Sequence, residues 1–419
     1  MPLPETVRLL PLTDPLGGFT ELIGDARVVA IGENNHHIAE FTALRDRMLR
    51  LLVTEMDFGI IAVESGFAEG HLVDDWIHGG PGDVQAVGRD GFTFRFGESE
   101  EMHELLRWLR AHNAAGGRVR FAGLDIPGSG GSGLPALRRV REYLRTYHPN
   151  QLPFVDTAIE ATAPYRSANN GVAPTRYAAL STETRDAAST ALTRLLLRLD
   201  ALRPGPHSDS HSDHLVARHH ALGALRLDEQ LRELLELRAP ERPELLPSSR
   251  DVYQAETVHL LRELHGTDQR IVLLLHNAHA QRVPMQLIPG VLIPSAGSYL
   301  AAALGTGYLA VGITALAGRT TDVRMDEAAP QGFEVVSRPL PPPVPNSVEA
   351  AVEESVPGGG PVLLDLRPAR GTAGPSAVRH AYTHVPVEVP AAFDLLACLP
   401  TMSPSSSVLP APPAPATRG

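Results

Sequence analysis

Short apolar runs that end on an acidic or basic group recur along the chain, separated by longer segments whose apolar residues fall three and four apart. Val28-Val-Ala-Ile31 is the first such run, long enough for a buried strand and too short for a helix. Gly32 breaks it, the polar stretch Glu33-Asn-Asn-His-His37 follows, and Ile38 to about Met56 has helical spacing. Gly59-Ile-Ile-Ala-Val-Glu64 and Val119-Arg-Phe-Ala-Gly-Leu-Asp125 repeat the design, with helical segments running to Trp76 and from Glu100 to His112. Arg270-Ile-Val-Leu-Leu-Leu-His276 is a fourth run, with Asn277-Ala-His279 straight after it, and Tyr308-Leu-Ala-Val-Gly-Ile313 is a fifth. The alternation predicts an α/β fold with a central, mostly parallel sheet flanked by helices.

From Leu134 to about Arg238 the pattern is helical, broken at Pro153, at Pro164 and by a polar loop over residues 204–214. The expected organisation is a lead-in over residues 1–26, a first part of the catalytic core over 27–133 and a helical insertion over 134–245 that lids a substrate cleft. The core resumes over 246–400, and a Pro/Ser-rich tail over 401–419 reads as disordered. Past Gly318 the text turns polar and irregular until the helix Val348–Glu354 and a late strand at Pro361–Leu366. His207, His211 and His214 with Asp209 and Asp213 are metal-capable residues in a stretch that reads as a solvated linker. Gly128-Ser-Gly-Gly-Ser-Gly133 matches a bare dinucleotide pattern. Its strand does not turn directly into a helix, so a flexible loop is expected.

Composition removes whole classes of chemistry. All 37 basic residues are arginine, which excludes lysine Schiff bases, the lysine of a phosphate-binding loop and Ser–Lys dyads. The one cysteine, Cys398, lies in an apolar run and reads as packing; no internal disulfide or cysteine-based zinc cluster is possible. A net charge of −11 argues against a nucleic-acid partner. No apolar run is long enough to span a bilayer, and no signal-peptide pattern opens the chain. The expectation is a soluble, cytoplasmic protein with a small-molecule substrate, whose oligomeric state the sequence leaves open.

Four strand ends thus carry polar groups: Glu33 with His36, Glu64, Asp125, and His276 with His279. Arg250 and Asp251 open a later helix. Together they supply a base, carboxylates to orient it and arginines to hold an anion, which suits direct attack of water on an ester or amide. No G-x-S-x-G nucleophile elbow is present. The same groups would serve a biosynthetic tailoring step such as a cyclisation, a dehydration or an acyl transfer. They would also serve a metal-dependent hydrolase built on His36, His37, Glu64 and His276. The plain structural alternative is a helix start capped by Asn34 or Asn35, with the histidines at the surface.

The motifs also carry a resemblance. Gly32-Glu33-x-x-His36-x-x-x-Glu40-Phe41 with Arg45, the strand end Val63-Glu64, and Trp108-Leu-Arg-x-x-Asn113 leading to Gly123-x-Asp125 resemble, in order, motifs of the erythromycin esterase family. Arg250-Asp251-x-x-x-x-Glu256, Leu275-His276-Asn277-Ala278-His279, Ser347-Val-Glu349 and Leu363-Leu-Asp-Leu366 continue the series. The resemblance implies a hydrolase that opens macrolide lactones with neither metal nor cofactor. It makes His36 the base that activates water, with Glu33 and Glu64 beside it and Arg45, His276 and His279 in the same cleft. Asp125, Arg250, Asp251 and His37 are expected to bind substrate or brace that group. Two positions depart from the family pattern, His37 after the base and Leu274-Leu275 where a tryptophan is usual, which predicts altered access and substrate contacts.

Overall fold

The computed structural model describes residues 2–12, 16–167, 171–237, 244–326, 329, 332–356 and 360–409. Its strands are β1 (Arg8–Pro11), β2 (Val28–Ile31), β3 (Phe58–Gly66), β4 (Arg120–Asp125), β5 (Arg270–Leu274), β6 (Met285–Ile288) and β7 (Val291–Ile293). They continue with β8 (Tyr308–Met325), β9 (Phe333–Pro339), β10 (Val362–Asp365), β11 (Ala377–His380), β12 (Thr383–Pro386) and β13 (Leu395–Met402). The main sheet runs β1-β10-β13-β8-β2-β5-β3-β4, with β9 folded back on the far half of β8. From β13 to β4 every neighbour is parallel, while β1, β10 and β9 pair antiparallel. The expected α/β architecture is therefore present.

The apolar runs are continuous because the strands are covered on both faces. In β2, Val29 and Ile31 pack on one side against Phe41, Leu44, Met48 and Leu52 of the helix Ala39–Met56. Val28 and Ala30 face the other side, with Ala255, Val258 and Leu261 of the helix Ser249–His265. β5 lies between β2 and β3, with β4 beyond, so the carboxyl ends of four parallel strands stand in a row. That edge is where open α/β sheets present ligand sites. Gly32, just past β2, lets the chain pass the Asn277 side chain and the Val311 carbonyl, which a Cβ would meet at 2.1 and 3.2 Å. Asn277 cannot swing away, because its side chain pairs with the backbone of Ile313 at both ends.

The helical block comprises Leu134–Tyr147, Leu152–Thr162, Ala173–Ala178, Thr182–Ala201 and His211–Glu236. It has its own core around Leu137, Leu144, Leu192 and Leu195. Leu227 and Leu231 join it to Phe67, Ile126 and Tyr253 of the sheet layer.

Several expectations need correction. The lead-in, expected to be irregular or a short helix, does hold the helix Phe19–Ile23 but also contains β1, which pairs with β10. The polar linker ends at Ser210, where the last long helix of the block begins; His214 is buried there with Nδ1 3.1 Å from the Tyr143 hydroxyl. The Gly-rich stretch begins as a tight turn, Pro127–Gly130, whose buried Ser129 meets Thr93 at 2.5 Å. The chain past Gly318 is not irregular, since β8 continues to Met325 and returns as β9. Residues 401–402 close β13, and residues 403–409 of the supposed tail pack against the body, with Val408 buried beside Phe333 and Val335; residues 410–419 lie outside the described residues. Among the described residues no helix is long and apolar enough to cross a membrane.

Gly32→Ala should destabilise the fold by about 2 kcal/mol, because the added methyl has only a fixed side chain and a backbone carbonyl to displace. Chemical denaturation of the purified variant checks this, and an unchanged midpoint would contradict the close approach.

Candidate active site

The turn after β2 is gripped from several sides. Asn34 donates to the Thr314 hydroxyl at 3.0 Å, and Asn35 donates to the Thr320 hydroxyl at 2.7 Å and the Thr321 carbonyl at 2.8 Å. Neither asparagine caps the following helix, whose N-cap is Ile38, so the plain helix-start reading fails at that point. Thr321 also donates to the His36 carbonyl at 2.7 Å. All three threonines lie on β8.

Glu33 divides its carboxylate between Arg45 Nη1 at 2.8 Å and His36 Nδ1 at 2.9 Å. Glu64, at the end of β3, accepts the His276 backbone N–H at 2.6 Å and Arg250 Nη2 at 2.7 Å, and lies 3.4 Å from His279 Nε2. Arg250 also clamps Asp125 with Nε and Nη2, at 2.9 and 2.7 Å. His279 Nδ1 meets Asp251 at 2.7 Å, and Asp251 is held in turn by Ser248 and the Ala296 N–H. His36 and His276 stand edge to face with their rings 5.3 Å apart.

All ten candidate residues therefore fall in one cluster, in unequal positions. His276 has both ring nitrogens engaged: Nε2 faces the Asn34 carbonyl at 2.8 Å, and Nδ1 accepts the Ala278 N–H at 3.0 Å. A ring that must donate at one nitrogen and accept at the other is a fixed neutral tautomer. His37 takes a left-handed backbone, φ 61°, with its ring 5.5 Å from Phe96. Sequence reading missed Phe96, 4.7 Å from the His36 ring, Phe94, 5.7 Å from the Arg250 guanidinium, and His380, edge to face with His276 at 4.5 Å. None belongs to a motif; they converge only through the fold. A cavity of about 40 Å³ lined by Glu33, Arg45, Glu64 and Phe96 has room for a water molecule or two.

The family model described as erythromycin esterase matches residues 53–401. The chain belongs to the erythromycin esterase family. It is 30% identical over 386 residues to erythromycin esterase type II of Escherichia coli, covering 91% of each chain. It is 26% identical to the type I enzyme of Escherichia coli, covering 93% of this chain and 94% of the relative. A solved erythromycin esterase, a histidine-to-asparagine mutant in its open conformation, superposes with a TM-score of 0.83 at 22% identity, over 96% of this chain and 99% of the other. A protein of succinoglycan biosynthesis shares the fold with a TM-score of 0.71 at 19% identity, over 94% of this chain and 93% of the other. Like its relatives, this family member is a hydrolase of ester or lactone bonds.

Charge states in the esterase follow from these contacts. Burial favours a neutral Glu64, but His279 and Arg250 outweigh it and hold the carboxyl well below its ordinary range. Glu33 is lowered in the same way, Arg45 and His36 overcoming burial. Burial opposes a charge on His279, yet Asp251 and Glu64 prevail and raise it. Burial, with His380 next in weight, pushes His276 far down; burial, with His36, takes His37 to about 3 and His380 to about 4.

The pH dependence of stability then has two signs. Lowered groups stabilise fully above their unfolded values, about 4.5 for Glu33 and Glu64 and 6.5 for the three neutral histidines. That stability is lost as pH falls toward their folded values. His279, raised, stabilises fully below 6.5 and loses its contribution as pH rises through its folded value. Thermal unfolding temperature should therefore drop on the acid side from about pH 6.5 downward. His279→Gln should flatten the alkaline slope; an unchanged slope would contradict the ion-paired state.

Proposed function

We propose that this chain opens macrolide or closely related lactones by direct attack of water, with His36 as the base. The observation that carries the reading is the chain Arg45–Glu33–His36. Glu33 is held ionised and can only accept, so His36 Nδ1 bears the proton and the lone pair lies on Nε2. Nε2 has no protein hydrogen-bond partner among the described residues, which leaves it for a water. As water attacks the carbonyl carbon, its proton passes to Nε2, and Glu33 stabilises the imidazolium that forms. The carbonyl oxygen becomes an oxyanion beside the Arg250 guanidinium, whose Nη1 has no protein hydrogen-bond partner among the described residues. Each well-placed donor contributes on the order of 3 kcal/mol there. Collapse breaks the ester C–O bond, and the imidazolium returns its proton to the alkoxide.

His276 is a brace in this scheme rather than a second base, since its nitrogens are spent on Asn34 and Ala278. The same commitment argues against a metal ion shared by His36, His37, Glu64 and His276. Among the described residues no three His, Cys, Asp or Glu side chains are placed to hold one ion. A macrolide ring exceeds the inner cavity, so it must lie across the mouth, where Phe94 and Phe96 offer an apolar shelf beside His36 and Arg250.

The test is a macrolide panel incubated with wild type, His36→Ala and His36→Gln in the presence of chelator and read by mass spectrometry. Wild type should yield product heavier by one water. Both variants should fold normally and lose about 10²–10⁴-fold in rate, the span of a general base. Variants that retain wild-type rate would remove His36 from the role, and a product of unchanged mass would point to cyclisation instead.

A further inference from the structure

The segment over residues 403–409 pairs with the chain just after His36 and with the residues around Arg95 and Glu100. Ser405 N–H donates to the His37 carbonyl at 2.8 Å, Pro404 forms an antiparallel bridge with Ile38, and the Ser403 carbonyl accepts the Ala39 N–H at 3.0 Å. Ser403 also donates to both oxygens of Glu40, through N–H at 2.7 Å and the hydroxyl at 2.6 Å. On its other side, the buried Ser405 hydroxyl reaches Glu101 at 2.7 Å, Ser407 accepts the Glu100 N–H at 3.2 Å, and the Val408 carbonyl accepts from Arg95 at 3.3 Å. The segment thus sews the loop of His36 to the loop of Phe94 and Phe96.

Both loops need holding. Of the six non-glycine residues with positive φ among the described residues, three stand here: His37 at 61°, Phe94 at 56° and Arg95 at 64°. Side chains with a Cβ resist this conformation, and it persists only where the surroundings over-determine it. At His37 the two flanking carbonyls are both captured, that of His36 by Thr321 and that of His37 by the Ser405 N–H. Released from Ser405, the His37 peptide is free to relax, and His36 turns away from Glu33 with it.

We propose that Ser405 is a positioning residue of the active site, keeping His36 on Glu33 by holding the His37 peptide in its left-handed turn. The inference rests on His36 being the base. It also assigns a role to a proline- and serine-rich segment that touches no reacting atom.

The test compares Ser405→Pro, which removes the donor, with Ser406→Ala at the exposed neighbour. Ser405→Pro should lower kcat about ten- to a hundredfold with KM nearly unchanged, the cost of a misplaced base. Ser406→Ala should match wild type. A readout independent of turnover is the proton NMR signal of His36 Nδ1–H bonded to Glu33, assigned by its loss in His36→Gln. It should persist in wild type and Ser406→Ala and be lost to exchange in Ser405→Pro. Should the proline variant fail to fold, Ser403→Ala combined with Ser405→Ala cuts the side-chain anchors to Glu40 and Glu101 and should show both effects in milder form. A kcat within twofold of wild type with the Nδ1–H signal retained overturns the proposal. Wild type without activity on any lactone would instead overturn the proposed function, and the NMR comparison would still decide the role of Ser405.

Discussion

The buried carboxylate of Glu64 is the constraint on which the site depends. An ionised carboxylate at 2% exposure costs several kcal/mol of hydration unless every lone pair finds a donor. The donors come from two different elements: the His276 N–H and the His279 ring from the segment just past β5, and Arg250 from the start of its helix. Satisfying that single group therefore fixes the distance between β3, β5 and the helix Ser249–His265. Arg250 extends the constraint to β4 through Asp125, and His279 extends it to the Ala296 turn through Asp251. Three adjacent strand ends, those of β5, β3 and β4, are locked by one connected set of charges, and the turn after β2 joins them through the His276 ring on the Asn34 carbonyl.

The histidines around this set show how environment divides one residue type into separate roles. His276 is committed at both nitrogens and kept neutral, so it orients Asn34 and the turn that carries His36. His279 lies between two carboxylates that raise its pKa and favour its cationic form, which balances Glu64. His36 has one nitrogen fixed by Glu33 and the other without a protein partner among the described residues, which suits the base role proposed for it. A chain with no lysine places its permanent positive charge in Arg45 and Arg250, whose planar donors suit shared carboxylates better than a flexible ammonium does.

Much of this was legible in sequence because doubly buried strands read as unbroken apolar runs and their polar ends stand out against them. Glu33, Glu64, Asp125 and His276 were all found that way, and the parallel order of β2, β5, β3 and β4 brings them together. The far half of β8 was not legible. Its Thr320 and Thr321 are buried polar residues facing the His36 turn, and the outer positions are exposed, so no clean alternation survives. In β13 the apolar run around Cys398 was read as packing, which its burial bears out, but not as a strand pairing with both β8 and β10. Residues 403–409 misled composition most, because Pro and Ser signal disorder while the actual tether is backbone N–H and C=O, which any residue supplies.

That last failure bears on how the proposed base is held. Thr321 comes from a strand extension and Ser405 from a segment past the last strand, and both act on carbonyls flanking a single strained residue. A left-handed non-glycine residue can be replaced by glycine at lower conformational cost, but glycine would also free the peptide to leave that geometry in the folded state. Histidine at position 37, held at both carbonyls, makes the turn stiff at the expense of intrinsic strain. The ring of His37, neutral and packed on Phe96, lines the small cavity beside Glu33 and Arg45. One departure from the family pattern thus joins the geometry of the His36 turn to the wall of the cavity beside it.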